Sequence, residues 1–295
     1  GRSKTPVVAS VARMLHGWGE RPAVLSRGYR REKASRDVVV VRDADHMRAT
    51  LAESGDEPFM LARELPGCCV LVHPRRARAG QVAEQTLGCT VHVLDDGFQH
   101  VQLARDADIV LVSLDDVLHG RVLPAGRLRE PLHALEAAHA LLAVDTSASR
   151  LRLALGRTPD VPIFEARRHL GRPRPLAGAT DFSRLHHEPV LLVTAVAEPS
   201  RVASDLRLAG WTLAGEMTFR DNHRYHAGDA GLIAARARSV GAAAVVTTTK
   251  DAVKLERHLP ADVPVAVVPL DVVVEPAEEF ADWLRSRLSL DPEGA

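Results

Sequence analysis

Two acidic residues, Asp95 and Asp96, come directly after an apolar run and are followed by Gly-Phe-Gln-His. The run predicts a buried strand, and adjacent carboxylates at the end of such a strand are unfavourable unless they bind a cation or hydrogen-bond donors. Walker B acids occupy that place beside the Mg²⁺ of a bound nucleotide. An Asp-Gly turn is the simpler alternative, but the Gln99-His100 pair that follows favours a functional site.

A lysine and a hydroxyl, Lys4 and Thr5, stand near the beginning of the chain, just before a helical pattern. A P-loop needs backbone N–H groups at a helix N-terminus, a lysine for the β- and γ-phosphates, and a Ser or Thr hydroxyl for Mg²⁺. A basic turn that caps a helix explains this segment about as well, and Ser3 stands where glycine is usual. The candidate nucleotide-binding residues are Gly1, Arg2, Ser3, Lys4, Thr5 and Pro6.

A second acidic pair, Asp56 and Glu57, follows a glycine at the start of another predicted helix. In isolation, the simplest role of these carboxylates is to complement the helix dipole. The functional alternative is a carboxylate that accepts a hydroxyl proton or orients Mg²⁺. The residues alone leave both alternatives open.

Three further segments place polar side chains in loops or at strand–helix junctions. The loop 120–131 contains three Arg, two Gly and two Pro, and its guanidinium groups match phosphate geometry about as well as they suit a solvated basic loop. Between a predicted strand and helix, Asp221 could cap or orient His223, although a lone loop histidine usually lies on the surface. Further on, Thr248 or Thr249 could cap the next helix, or face a phosphate together with the lysine that follows.

The elements that would carry these residues indicate two α/β units. Short β-branched runs separated by helices predict a parallel sheet with crossover helices, and such sheets bind ligands at the carboxyl ends of their strands. The pattern weakens between about 150 and 175, where scattered Pro and Arg indicate a linker. Strands are predicted at 23–26, 38–41, 70–73, 91–95, 109–112, 141–144, 190–196, 211–219, 243–248 and 265–274, and helices at 5–18, 75–87, 201–208, 229–240, 251–259 and 277–288.

Composition narrows the class of protein. The 295 residues are 46% hydrophobic and 26% charged with a formal net charge of zero, so no basic field indicates nucleic acid. No apolar run reaches the length of a membrane span, and no signal peptide opens the chain. Three cysteines without metal-ligand spacing predict core residues in a reducing cytosol. Most of the cationic residues are Arg. The few lysines are Lys4, Lys33, Lys250 and Lys254, and we expect a lysine where a compact point charge is needed.

Taken together and in order, these segments resemble the tetraacyldisaccharide 4′-kinase family. The match covers nearly the whole chain, and six ordered motifs are far more specific than any one of them. The motifs are Lys-Thr-Pro at 4–6, Ser-Arg-Gly-Tyr at 26–29, Gly-Asp-Glu-Pro at 55–58, Asp-Asp-Gly-Phe-Gln-His at 95–100, Leu-Pro-Ala-Gly with Arg-Glu-Pro at 123–131, and Thr-Thr-Thr-Lys-Asp-Ala at 247–252.

The resemblance implies an α/β fold with a P-loop NTPase-like parallel-sheet domain and a second, smaller α/β domain. The first would span 1–155, with the C-terminal helix 276–289 packing back on it, and the second 169–263. A two-stranded linker, 160–168 and 264–275, would join them. Family members carry an N-terminal hydrophobic helix that seats them on the cytosolic face of the bacterial inner membrane. Since the chain opens within a motif, we expect such a segment upstream, and we expect the chain itself to be soluble.

The implied reaction moves the γ-phosphoryl group of ATP to the 4′-hydroxyl of tetraacyldisaccharide 1-phosphate, an acylated glucosamine disaccharide, and yields lipid IVA in lipid A biosynthesis. The resemblance implies that Asp56 accepts the hydroxyl proton and that ATP and Mg²⁺ are required. The other implied roles are catalysis for His223 and Asn222, metal binding for Thr5, Glu57, Asp95 and Asp96, and substrate binding for Arg27, Gln99, His100, Arg127 and Arg129.

Departures from the family pattern leave alternatives open. Ser3 and Thr249 replace a glycine and a glutamate, and Asn222 replaces the histidine that the family pairs with the Asp56 position. An amide cannot relay a proton as imidazole does, so either His223 substitutes, or Asp56 acts alone, or activity is weakened. Two alternatives to an active kinase are a degenerate homologue that binds nucleotide or lipid, and a P-loop NTPase. The sequence contains no Asn-Lys-x-Asp motif of the kind that reads guanine, which disfavours the second. The sequence leaves the oligomeric state open.

Overall fold

A computed structural model describes residues 4–29, 31–156, 159–177, 182, 185–259 and 263–290. Gly1, Arg2 and Ser3 of the predicted phosphate-binding segment lie outside these ranges. The described chain folds into two units. Unit 1 contains Gly1–Ser54, Leu61–Arg168 and Val272–Ala295, and unit 2 contains Gly55–Met60 and His169–Asp271.

Helices and short strands alternate along the chain, as the hydrophobic periodicity predicts. The first half contains α1 (Lys4–Gly17), β1 (Pro22–Ser26), β2 (Val39–Arg42), α2 (Leu51–Ser54), α3 (Asp56–Glu64), β3 (Cys69–Val72), α4 (Arg76–Leu87), β4 (Val91–Leu94), β5 (Ile109–Ser113), α5 (Leu114–His119), β6 (Ala140–Val144) and α6 (Ala148–Leu155). The second contains β7 (Ile163–Leu170), β8 (Arg174–Pro175), β9 (Val190–Thr194), α7 (Pro199–Leu208), β10 (Leu213–Thr218), α8 (Ala227–Ser239), β11 (Ala244–Thr248), α9 (Thr249–Leu255), β12 (Val265–Val268), β13 (Leu270–Glu275) and α10 (Ala277–Leu288).

Unit 1 is built on two four-stranded sheets, with strand orders β2-β3-β1-β4 and β13-β7-β6-β5. Strand β1 pairs in parallel with both β3 and β4, and β5, β6 and β7 are parallel as well. Strand β2 instead runs antiparallel to β3. No helix forms in the described residues between β1 and β2, so the chain turns back after β1 without a helical crossover and β2 runs opposite to β1. The α/β fold class is therefore confirmed, with mixed rather than purely parallel sheets.

The core of unit 1 holds the first and last helices against the same strands. Val7 and Leu15 of α1 and Phe280 of α10 belong to one buried cluster with Phe164 of β7. The Phe164 and Phe280 rings meet edge to face at 5.1 Å, a favourable aromatic geometry. This packing fixes the N-terminal end of α1, which carries Lys4.

Unit 2 contains a five-stranded sheet in the order β10-β9-β11-β12-β8. Strands β9 to β12 are parallel and β8 is antiparallel. Successive residues of β9 point to opposite faces, so Leu191 packs with α8 and Leu192 with α7. The predicted run 265–274 forms two strands, because Pro269 between them has no N–H to donate.

Two simpler expectations concern the cysteines and membrane spans. Cys68, Cys69 and Cys89 are buried free thiols. Within the described ranges, none of the helices has both the length and the hydropathy needed to cross a bilayer. The predicted domain and linker bounds stay a prediction.

Candidate active site

The N-terminal end of α1 lies against the carboxyl end of β4 in unit 1. Helix α1 begins at Lys4, and the Lys4 ammonium donates to the Asp96 carboxylate. Thr5 is the second residue of the helix. The first-turn N–H groups of a helix lack intrahelical acceptors and carry the positive end of its dipole. A lysine, a hydroxyl-bearing residue and the positive end of the helix dipole therefore meet at one helix end, which suits an anion.

The acidic pair continues β4 and then turns sharply. The Asp95 N–H donates to the Leu25 carbonyl oxygen at 3.1 Å, which extends the pairing with β1, and the Asp95 side chain is buried. Asp96 has a φ of 57°, a left-handed conformation that is uncommon outside glycine and clusters at functional sites. In this conformation Asp96 contacts Lys4. The structure thus brings together Lys4, Asp95 and Asp96.

An arginine from the predicted basic loop completes this cluster. Arg129 donates to Asp96 Oδ2 at 2.6 Å and to Gln99 Oε1 at 3.1 Å. Burial raises the pKa of Asp96, but hydrogen bonds from Lys4 and Arg129 outweigh burial and hold that pKa below its ordinary value. Two cations on one ionised carboxylate leave positive charge available to phosphate oxygens. Arg127, by contrast, pairs with Asp115 of α5.

A basic group adjoins the acidic pair. Arg76, the first residue of α4, is 5% exposed, and its Nε has no hydrogen-bond partner in the described ranges. Burial, followed by repulsion from Arg27, lowers the pKa of Arg76, while Asp96 and Asp95 oppose that change. Burial, Arg76, Arg105 and Arg27 likewise lower the pKa of His100. The predicted Arg27 and His100 therefore lie within electrostatic range of Arg76, a buried guanidinium that sequence reasoning missed.

Asp56 and Glu57, at the start of α3, each face a lysine of α9 in unit 2. Lys254 Nζ lies 3.8 Å from Asp56 Oδ2, and Lys250 Nζ lies 3.3 Å from Glu57 Oε1. Burial raises the pKa of Asp56; Lys254, Lys250 and Arg224 oppose this effect, and Glu57 adds to it. A raised pKa makes this carboxylate a stronger base than an exposed aspartate.

The start of α9 is held by a fully buried carboxylate. Asp251 Oδ2 accepts hydrogen bonds from the Ala195 N–H at 3.0 Å and from Thr248 Oγ1 at 2.9 Å. Thr248 in turn accepts from the Asp251 N–H at 3.1 Å, which confirms Thr248 rather than Thr249 as the N-cap. The cap fixes the direction of α9 and hence of Lys250 and Lys254.

The segment before α8 directs His223 toward a different acid than the sequence predicts. His223 Nε2 lies 2.9 Å from Asp229 Oδ2, and its ring stacks on Phe219 with centroids 4.7 Å apart. Asp221 instead accepts from Asn222 Nδ2 at 2.9 Å. Asp229 rather than Asp221 is therefore the acid that contacts His223, because the first turn of α8 brings Asp229 to that ring. Catalytic roles for His223 and Asn222 stay predictions.

Three contributors, Arg76, Asp251 and Lys254, were absent from the sequence-predicted site. For Lys254, the rarity of lysine is a signal that the sequence offers. The chain has four lysines, and Lys4, Lys250 and Lys254 each face one of the predicted acids. Arg76 gives no such signal, because arginine is abundant throughout. Its burial results from the packing of α4 on β1 and β3.

A lysine at a helix N-terminus, set against paired acids at the end of a neighbouring parallel strand, defines a P-loop type of nucleotide-binding α/β protein. The family model for Tetraacyldisaccharide-1-P 4′-kinase matches residues 1–289, so the chain belongs to that family. The predicted family is thereby confirmed.

Individual relatives agree with this assignment. A tetraacyldisaccharide 4′-kinase of Anaeromyxobacter dehalogenans (strain 2CP-C) is 39% identical over 272 residues, which cover 88% of this chain and 71% of the relative. The enzyme of that name from Koribacter versatilis (strain Ellin345) is 36% identical, with coverage of 96% and 84%. A crystal structure of LpxK from Aquifex aeolicus in complex with ATP superposes with a TM-score of 0.76 at 27% identity, covering 97% of this chain and 84% of that one.

Proposed function

We propose that this protein transfers the γ-phosphoryl group of ATP to the 4′-hydroxyl of tetraacyldisaccharide 1-phosphate and so forms lipid IVA in lipid A biosynthesis. The kinase class is confirmed by the family and by relatives named tetraacyldisaccharide 4′-kinase. The observation that carries the proposal is the convergence of Lys4 and Asp96 at one helix end. A degenerate homologue is not favoured, since Lys4, Thr5, Asp95, Asp96 and Asp56 are all present.

Mg²⁺ suits the oxygen atoms at the end of β4. This hard cation prefers carboxylate and hydroxyl oxygens, and Asp95, Asp96 and Thr5 offer them beside Lys4. The buried Asp95 carboxylate is the group that a cation would compensate best. When bound, Mg²⁺ neutralises charge on the β- and γ-phosphate oxygens. Glu57, which pairs with Lys250, stays only a sequence prediction as a metal helper.

The roles of the remaining groups follow from their charge and hydrogen-bonding capacity. Lys4 and the first amides of α1 bind the β- and γ-phosphates, and Arg129 stabilises charge on the transferred group. Asp56 accepts the proton of the 4′-hydroxyl as that oxygen attacks phosphorus. Positioning and charge neutralisation supply most of the rate, because phosphoryl transfer has a loose transition state. Arg27, Gln99, His100 and Arg127 are the candidates for the anionic acceptor.

The assay that tests this function measures ATP turnover with and without the acylated disaccharide 1-phosphate. We expect labelled phosphate from γ-labelled ATP in the lipid product, and no turnover above background without acceptor, because the hydroxyl nucleophile belongs to the acceptor. Phosphate release without acceptor would instead indicate an NTPase. Nucleotide binding without either product would indicate a degenerate homologue. Omission of Mg²⁺ in parallel reactions tests the ion requirement.

We also propose that unit 1 contacts a bilayer at the cytosolic face of the inner membrane, because the acylated acceptor resides in one. Val101, Leu118 and Leu123 expose 81%, 60% and 60% of their surface. They lie on the segments that follow β4 and β5, and Leu123 belongs to the loop that carries Arg129 to Asp96. Exposed apolar side chains beside a site for a lipid acceptor are typical of a membrane contact.

A vesicle experiment tests this contact. We expect the Leu118→Ser/Leu123→Ser variant to co-sediment several-fold less with phosphatidylethanolamine–phosphatidylglycerol vesicles than the parent chain, because two exposed apolar side chains are lost. The matched control is Leu208→Ser, since Leu208 is 84% exposed in unit 2. Equal sedimentation of the double variant and the control would contradict the proposed contact.

A further inference from the structure

Lys254 is a buried lysine on α9, only 6% exposed. Its ammonium lies 3.3 Å from Asp251 Oδ1, 3.8 Å from Asp56 Oδ2 and 5.9 Å from the ring centroid of Tyr225. A buried ammonium is unfavourable unless it is paired. All three groups that compensate this charge belong to unit 2, so the arrangement is internal to that unit.

Asp251 does not require Lys254 for its structural role. Its Oδ2 atom already accepts the Ala195 N–H and the Thr248 hydroxyl, whereas Oδ1 has no hydrogen bond within the described chain. Among the described residues, Lys254 Nζ also has no hydrogen-bond partner. The ammonium is thus held by charge and by the Tyr225 face, with donor capacity left for Asp56.

Three other polar side chains of unit 2 have partners of their own. Lys250 pairs with Glu57, His223 contacts Asp229, and Asn222 donates to Asp221. Lys254 is the cation at ion-pair distance from Asp56 among the described residues. A buried ammonium that is also held by Asp251 and the Tyr225 ring can fix the direction of a carboxylate more firmly than a mobile surface lysine can.

We propose that Lys254 is the positioning residue of Asp56: anchored by Asp251 and the face of Tyr225, its ammonium holds the Asp56 carboxylate in the direction from which it accepts the acceptor hydroxyl proton. The inference rests on the proposed function and deepens it. The proton passes from the hydroxyl to Asp56, and Lys254 stays protonated throughout. Lys254 touches neither the reacting oxygen nor the phosphorus.

The test uses the full chain and the lipid acceptor assay. We expect Lys254→Gln to lower kcat about 10–100-fold with the KM for ATP within about twofold, because small displacements of a reacting group carry such losses. Lys254→Ala should regain activity with saturable dependence on added methylammonium, which restores the missing charge. Lys33→Met, which removes an exposed lysine, is the control and should keep full activity.

A double-mutant comparison separates positioning from structural support. If Lys254 acts through Asp56, adding Lys254→Gln to an Asp56→Asn variant should cause no further loss. The inference is overturned if Lys254→Gln keeps kcat within twofold, or if the losses multiply and no amine restores Lys254→Ala. Failure of the parent chain to phosphorylate the acceptor would sink the proposed function itself, whereas an active parent with an indifferent Lys254→Gln would sink the inference alone.

Discussion

Replacing Asp56 by asparagine should lower kcat by at least about 100-fold and leave the KM for ATP within about twofold of the parent value. Asparagine keeps the size of the side chain but cannot take up the hydroxyl proton, so the loss should fall on the chemical step. Nucleotide contacts should persist, because the groups assigned to the phosphates, Lys4 and Arg129, belong to unit 1. Steady-state kinetics with varied ATP and fixed lipid acceptor measure both constants.

The environment of Asp56 explains why replacing its carboxylate by an amide should have so large an effect. Burial raises its pKa above the ordinary value of 3.8, which strengthens it as a base. Lys254 and Lys250 oppose that shift, because a nearby ammonium favours the charged form of a carboxylate. A half-buried base with charged partners is typical of functional sites.

The matched control for this substitution is Glu188→Gln, which neutralises an exposed carboxylate of the same unit. It should behave as the parent chain does. Turnover of Asp56→Asn within a few-fold of the parent would remove Asp56 from the role of base. A rise in the KM for ATP that accounts for the whole loss would instead assign Asp56 to nucleotide binding.

The hydrophobic pattern within each segment was sufficient to predict the helices and strands that carry the site. The helix predicted at 277–288 is α10 to the residue, and the apolar run before Asp95 is β4, because both depend on hydrophobic periodicity within the segment. Strand direction was a different matter: β2, with three valines in four residues, has a composition typical of strands in parallel sheets, yet it runs antiparallel to β3. Composition sets whether a strand forms, whereas connection geometry sets its direction.

Partners that are distant in sequence could not be predicted from spacing. Lys250 and Glu57 are 193 positions apart, and only the fold of unit 2 brings them together. Sequence proximity misled at His223, since Asp221 is two residues away but Asp229 makes the contact. Motif matching found Asp56 and missed Lys254, because the motif records which residues recur and not which side chain supports another.

Lys4→Ala should lower kcat/KM for ATP by at least about 100-fold, an effect of the size seen when one preorganised donor is lost from a developing anion. Lysine supplies a compact charge to the β- and γ-phosphates, and arginine, with its planar fork, should not restore activity. Folding should be little affected, since the Lys4 and Asp96 side chains are 33% and 38% exposed and ion pairs at such positions add little stability.

Thermal unfolding of Lys4→Ala checks this separation of function from stability, and ATP titration together with initial rates measures the functional loss. Lys33→Ala removes an exposed lysine that has no assigned role in the site, and it should match the parent in both measurements. Asp56→Asn should bind ATP normally and fail at transfer, whereas Lys4→Ala should fail already at productive nucleotide binding. If Lys4→Ala retained its kcat/KM for ATP, α1 would not be the phosphate-binding helix, and Asp95 and Asp96 would lose their rationale as Mg²⁺ ligands beside it.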